Sequence, residues 1–98
     1  MKVRRYRVTG RVQGVGFRAF VVRLARAETL RVGVANEADG SVVCVAAGDD
    51  AALARFRAGL ARGPAAARVA GVEEVDLPGW PAGDRFDAEV GDLERRGD

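Results

Sequence analysis

The sequence predicts an α+β domain whose elements follow the order β-α-β-β-α-β. Four to five antiparallel strands form its sheet, and two helices lie on one face. Near the N-terminus Tyr6 and Val8 alternate with Arg5 and Arg7, which is typical of a strand with one apolar and one solvated face. From Phe17 onward the apolar residues recur every three to four positions, as on an amphipathic helix. A strand with one polar face predicts a sheet that is covered on one side only.

The first half of the chain reads as strand, helix and β-hairpin. Residues 2–9 form the first strand, and the first helix begins at Phe17 and fades about ten residues later. Residues 30–36 are a short strand, and a polar turn over 36–40 leads into the strand 41–47. The predicted buried stripe of the helix consists of Phe17, Phe20, Val21 and Leu24.

The second half repeats the helix and strand patterns. Acidic residues 49–50 predict the start of a second helix, and the Gly-Pro pair at 63–64 ends it. Residues 69–77 form a further strand, and alternation over 86–90 predicts a last short one. The inner stripe of the second helix is predicted to be Leu53, Phe56 and Leu60.

Length and composition favour a single globular domain. The chain has 98 residues, of which 48% are hydrophobic and 31% charged, so we assign one domain to residues 1–91 and a charged tail to 92–98. No apolar run reaches the length of a membrane span, and no signal-peptide pattern is present. We therefore expect a cytoplasmic protein with no membrane partner. Cys44 is the single cysteine, lies in an apolar strand and is expected to be buried.

The charges are unevenly distributed. Residues 1–31 carry nine basic side chains and one acidic one, whereas the remainder carries seven basic and thirteen acidic side chains. A local positive field of this kind attracts small anions. The chain has no histidine, which excludes a phosphohistidine intermediate and a histidine base. Because Cys44 is also expected to be buried, and Asp49-Asp50 is expected to cap a helix, any phosphate chemistry is expected to proceed without a covalent intermediate.

A glycine-rich turn between the first strand and the first helix is the candidate site. It reads Gly10-Arg11-Val12-Gln13-Gly14-Val15-Gly16-Phe17-Arg18. Glycines allow backbone N–H groups to curl around an anion, the helix adds its first-turn N–H groups, and Arg18 can grip a phosphate bidentately. The segment is neither a Walker A loop nor a dinucleotide fingerprint. On spacing alone, an ordinary turn and a solvated arginine explain it equally well.

Together with Asn36-x-x-x-Gly40-x-Val42, this segment resembles the paired signature of the acylphosphatase family. All nine positions of the first motif agree, and the order of elements matches the family's ferredoxin-like sandwich up to about residue 91. The second motif departs from the family, which has glycine and an aromatic residue where this chain has Val32 and Gly33. The family's Leu-Gly pair at positions 28–29 is replaced by Glu-Thr.

The resemblance implies a small cytoplasmic hydrolase that cleaves the carboxyl–phosphate bond of acylphosphates without a metal or an organic cofactor. Arg18 matches the family's essential arginine, and Asn36 matches its water-positioning asparagine. The implied partners are a small-molecule acylphosphate and a bound inorganic phosphate or sulfate. We expect no nucleic acid partner, and we expect the protein to be a monomer. The backbone that binds the phosphoryl group is implied to be that of Val12, Gln13, Gly14, Val15, Gly16 and Phe17.

Other interpretations of the same residues stay open. Asn36 is also a common turn residue, Gln13 could serve only to brace the loop, and Asp39-Gly40 is expected to be ordinary hairpin chemistry. RNA-recognition domains share this order of elements, but they need exposed aromatics on their central strands, and residues 41–47 have none. A domain that binds an acylphosphate or carbamoyl phosphate for a larger assembly, with poor turnover, is the second alternative. The length of the chain argues against it.

Overall fold

The computed structural model describes residues 1–83 and 86, and it confirms the α+β class and the predicted order of elements. The predicted strand over 86–90 lies outside the described residues except for Phe86, and the tail 92–98 lies wholly outside them; the domain boundary at 91 stays a prediction. Neither helix in the described part of the chain is long and apolar enough to cross a membrane. The elements are β1 (Lys2–Arg11), α1 (Phe17–Ala27), β2 (Arg31–Asn36), β3 (Val42–Gly48), α2 (Asp50–Arg62) and β4 (Arg68–Leu77).

The sheet brings the ends of β1 and β2 to one edge. Its strand order within the described residues is β2-β3-β1-β4, and every neighbouring pair is antiparallel. Because β1 and β2 are both antiparallel to β3, they run parallel to each other on either side of it. Their carboxyl ends therefore meet at one edge of the sheet, where the β1–α1 loop and the β2–β3 turn lie side by side.

The core between the sheet and the helices is built from the predicted apolar faces. Tyr6 and Val8 of β1 are fully buried, and so are the three predicted residues of α2, Leu53, Phe56 and Leu60. The rings of Tyr6 and Phe56 meet edge to face with centroids 5.4 Å apart. Such an aromatic pair adds about 0.5–1.5 kcal/mol beyond the burial of its area.

The buried face of α1 is broader than the predicted stripe. Phe17 and Val21 are buried as expected, whereas Phe20 is half-buried and Leu24 packs on the margin of the core. Val22 and Ala25, which the stripe did not include, are buried as well. On β4 one large apolar side chain, that of Val75, is 45% exposed.

The prediction of a sheet covered on one side only is wrong at β3. Val45, which faces away from the helices beside Gly33 in the β2–β3 ladder, has no exposed surface. A Cβ placed on Gly33 would lie 2.8 Å from the Cα of Phe86, so the backbone at Phe86 packs directly on β2. Nε1 of Trp80 donates to the Phe86 carbonyl oxygen at 2.7 Å, and the guanidinium carbon of Arg31 lies 3.8 Å from the Trp80 ring centroid. Glycine at position 33 is the residue that leaves room for this cover.

Helix α1 ends in a Schellman motif with an unusual residue at its left-handed position. The N–H of Leu30 donates to the Ala25 oxygen at 2.8 Å, and the N–H of Thr29 donates to the Arg26 oxygen at 3.1 Å. Thr29 has φ 57°, the only positive value outside glycine in the described part of the chain. A β-branched residue is strained in this region because its Cβ crowds the backbone.

Replacing Thr29 by glycine is expected to stabilise the protein. Relief of the left-handed strain, about 1–2 kcal/mol, exceeds the added backbone entropy of glycine, about 0.5–1 kcal/mol. We expect a net gain of about 0.5–1 kcal/mol, seen as a higher urea midpoint with an unchanged slope. Thr9→Gly, in the extended strand β1, is the matched control and is expected to destabilise. An unchanged or lower midpoint for Thr29→Gly would contradict the assignment of strain.

Candidate active site

The β1–α1 loop adopts the curled backbone that its glycines predict. Gly14 has φ 74° and Gly16 has φ 78°, both in the left-handed region that favours glycine. Gly16 is also the N-cap of α1, where no side chain caps the helix. The first backbone bond of the helix runs from the N–H of Phe20 to the Gly16 oxygen at 3.1 Å. The N–H groups of Phe17, Arg18 and Ala19, the first three residues of α1, therefore have no acceptor within the helix, and they lie beside the loop.

A cavity of about 210 Å³ opens between this loop, the first turn of α1 and the end of β2. Arg18, the second residue of α1, and Asn36, the last residue of β2, both line it. Since a water occupies about 30 Å³ in the liquid, the volume accommodates a phosphoryl group together with a water. The full lining is Val12, Gly14, Gly16, Phe17, Arg18, Ala19 and Asn36.

The cavity gathers most, but not all, of the residues that the sequence singled out. Of the six predicted loop residues, Gln13 and Val15 do not line it. Val15 packs against the hydrophobic core, and the side chain of Gln13 bonds to the β2–β3 turn. Ala19 was missed by sequence reasoning, although its place as the third residue of α1 puts its N–H in the first turn of the helix.

The cavity has a positive character. Of the lining residues in the described part of the chain, Arg18 alone carries a charge. The amino end of a helix adds the equivalent of about half a positive charge. Within the described residues no cluster of three or more histidine, cysteine, aspartate or glutamate side chains is placed to hold a metal ion. The arrangement is suited to binding a small anion by backbone N–H groups and one guanidinium.

The turn that follows Asn36 is fixed by a network on the far side of the hairpin. Oδ1 of Asp39 accepts from the Ser41 hydroxyl at 2.6 Å and from the Ser41 N–H at 2.9 Å. These two bonds, with a further contribution from Arg7, lower the pKa of the Asp39 carboxyl below its usual value. Nη1 of Arg7 donates to Oδ2 of Asp39 at 3.0 Å and to Oγ of Ser41 at 2.9 Å. Asp39 thus has the hairpin role that the sequence predicts, whereas Arg7, expected to be solvated, is an anchor of the turn.

Comparison with known proteins agrees with this geometry. Residues 4–88 match the family model described as Acylphosphatase. The acylphosphatase of Rhizobium etli is 52% identical over 73 residues, which cover 70% of this chain and 73% of the relative. The acylphosphatase of Nitratidesulfovibrio vulgaris strain DP4 is 46% identical over 89 residues, or 89% of each chain. The crystal structure of acylphosphatase from Bacillus subtilis superposes with a TM-score of 0.79 at 34% identity and covers 87% of this chain and 94% of that one.

The ferredoxin-like α+β fold, the glycine loop ahead of α1 and these likenesses define a small hydrolase that acts on acid anhydrides. Within that class, the chain belongs to the acylphosphatase family.

Proposed function

We propose that this protein hydrolyses the carboxyl–phosphate bond of acylphosphates to a carboxylate and inorganic phosphate, in the cavity between the β1–α1 loop and the end of β2. The observation that carries the proposal is that one cavity is lined by the glycine loop, Arg18 and Asn36 together. Arg18 lies on α1 and Asn36 is the last residue of β2, 18 positions further along the sequence. We propose further that the protein acts as a monomer.

In this proposal the loop and Arg18 bind the phosphoryl group. Phosphoryl transfer spreads negative charge over the phosphoryl oxygens, so catalysis depends on donors that are in place before the reaction starts. The backbone around Gly14 and Gly16 and the first turn of α1 supply N–H donors that need no reorganisation. The Arg18 guanidinium adds two parallel N–H donors and a full positive charge. The same donors would hold inorganic phosphate, the product, or sulfate.

Asn36 is proposed to orient the attacking water. Its amide oxygen can accept a hydrogen bond from a water proton, and its N–H₂ group can donate to a phosphoryl oxygen. An amide does not act as a base at neutral pH, so its contribution is position rather than proton removal. A water held in line with the leaving carboxylate is already close to the geometry of attack. Its effective concentration at phosphorus is therefore far above that of water in bulk solvent.

The proton of the attacking water is proposed to go to a phosphoryl oxygen of the substrate. Among the residues that the structure describes, those that line the cavity include no histidine, cysteine, lysine or carboxylate. As the new bond forms between the water oxygen and phosphorus, the bond between phosphorus and the acyl oxygen breaks and the carboxylate leaves with its electron pair. A carboxylate is a good leaving group and needs little acid assistance. The reaction therefore balances with the substrate and one water. We also propose that the enzyme is cytoplasmic.

Hydrolysis of benzoyl phosphate by the full chain tests this scheme. We expect kcat to change by less than about 2-fold between pH 6 and 8, because no general base of the protein takes part. The measurement is the initial rate at saturating substrate, corrected for spontaneous hydrolysis at each pH. A sharp inflection that belongs to the enzyme would contradict the substrate-assisted proton transfer. Binding of phosphate without turnover would favour the alternative of a domain that only binds acylphosphates.

A further inference from the structure

The side chain of Gln13 joins the anion loop to the turn that follows Asn36. Its Nε2 donates to the carbonyl oxygen of Glu37 at 2.7 Å and to that of Ser41 at 3.0 Å. Both N–H bonds of the amide group are thereby used, and two carbonyl acceptors fix which end of the amide faces the turn. The side chain is half-buried and does not line the cavity. Its contacts are therefore with the protein, at the seam between the two halves of the site.

The two carbonyls that accept from Gln13 close the neck of the turn. The N–H of Glu37 donates to the Ser41 oxygen at 2.9 Å, and the N–H of Gly40 donates to the Glu37 oxygen at 3.1 Å. Arg7 holds the far side of the same turn through Asp39. The turn is thus a rigid unit on its own bonds, and Asn36 immediately precedes it on β2.

We propose that Gln13 is a positioning residue, which sets the distance between the anion loop and Asn36 so that the bound phosphoryl group and the oriented water stay in register. This inference rests on the proposed function. The loop reaches the cavity from β1 and Asn36 reaches it from β2, and β3 separates the two strands. The Gln13 amide spans that separation at the site itself. Gln13 lies between Val12 and Gly14, both of which line the cavity. Loss of its bonds to the turn therefore shifts the N–H donors of the loop relative to Asn36.

The hydrogen bonds also indicate that removing Gln13 changes position more than stability. Each accepting carbonyl keeps a backbone donor of its own, Gly40 for the Glu37 oxygen and Glu37 for the Ser41 oxygen. Loss of the Gln13 amide therefore leaves neither carbonyl without a donor, and the usual cost of an unsatisfied buried group does not arise. The loop and the turn, however, lose the bonds that fix one against the other.

A double-mutant cycle between Gln13→Met and Asn36→Ala tests the inference. Methionine keeps the length and volume of the side chain but removes both donors. In the wild-type background we expect Gln13→Met to lower kcat for benzoyl phosphate by about 10-fold or more, since a misplacement of about 1 Å can cost about 10²-fold. The inhibition constant for phosphate should stay within about 2-fold. In the Asn36→Ala background the same change should cost less than about 2-fold, because the group that Gln13 positions is gone.

Three kinetic outcomes would overturn the inference. They are a kcat within about 2-fold of wild type, an equal loss in both backgrounds, and a loss of phosphate affinity as large as the loss of kcat. Gln13→Glu, which has the same size and no donor, serves as the second variant, and urea unfolding checks the fold of both. Unfolding of both would make Gln13 a folding residue and would also overturn the inference. If the wild-type chain did not hydrolyse benzoyl phosphate, the proposed function would fail. A fully active Asn36→Ala would refute the role of Asn36 and, with it, that of Gln13. An inactive Asn36→Ala beside a fully active Gln13→Met refutes only the role of Gln13.

Discussion

Replacing Arg18 by alanine is expected to lower kcat for benzoyl phosphate by about 10²–10³-fold, the cost that is typical for loss of one preorganised donor to a developing oxyanion. The expected loss is large because Arg18 is the one charged residue that lines the cavity in the described part of the chain. Phosphate inhibition should weaken as well, by about 10-fold or more, since ground state and product share the same dianionic group. Initial rates and competitive inhibition by phosphate measure both effects.

Arg23→Ala is the matched control for this prediction. Arg23 is the same residue type on the same helix, is exposed and does not line the cavity. It should keep kcat within about 2-fold of wild type, as is usual for a surface substitution away from a site. Circular dichroism verifies that both variants fold. An Arg18→Ala enzyme within a few-fold of wild type, or equal losses for both arginines, would refute the proposed anion site.

Asn36→Ala is expected to separate chemistry from binding. We expect kcat to fall by about 10²-fold because the attacking water loses its orienting acceptor. The inhibition constant for phosphate should change by less than about 3-fold, since the loop and Arg18 keep their donors. This pattern corresponds to an interaction that is made mainly in the transition state.

Asn36→Asp sharpens the test because it keeps an acceptor oxygen and adds a negative charge. A carboxylate beside a bound dianion is repulsive, so phosphate inhibition should weaken in Asn36→Asp although it does not in Asn36→Ala. If Asn36→Ala weakened phosphate binding as strongly as it lowered kcat, Asn36 would be a phosphate ligand and not a water-orienting group.

The parts of this protein that could be predicted are those that local pattern determines. The stripe of Leu53, Phe56 and Leu60 predicts both the existence of α2 and its buried face. Apolar residues at helical spacing indicate a helix, and the same residues form the side that packs on the core. The meeting of Arg18 and Asn36 was expected from the family resemblance, and the parallel course of β1 and β2 supplies its physical reason.

The parts that could not be predicted depend on contacts between distant segments. The sequence around Gln13 does not show that its amide reaches the carbonyls of Glu37 and Ser41. In the same way, the alternation along β1 indicates a solvated second face, whereas a residue 53 positions further along the chain from Gly33, Phe86, lies over β2. Local periodicity shows which side chains of a strand are polar. It does not show which distant segment of the chain will pack over that face of the sheet.

The contact between Gly33 and Phe86 constrains how this chain can be recombined with its relatives. A β2 strand that carries an aromatic side chain at position 33 has no room for the Phe86 backbone in this place. Chimeras between acylphosphatases should therefore exchange β2 and the segment after β4 as a unit. Asn36 lies only three residues beyond Gly33 on the same strand. A chimera that exchanges β2 without the segment after β4 should therefore lose catalytic activity as well as folding yield.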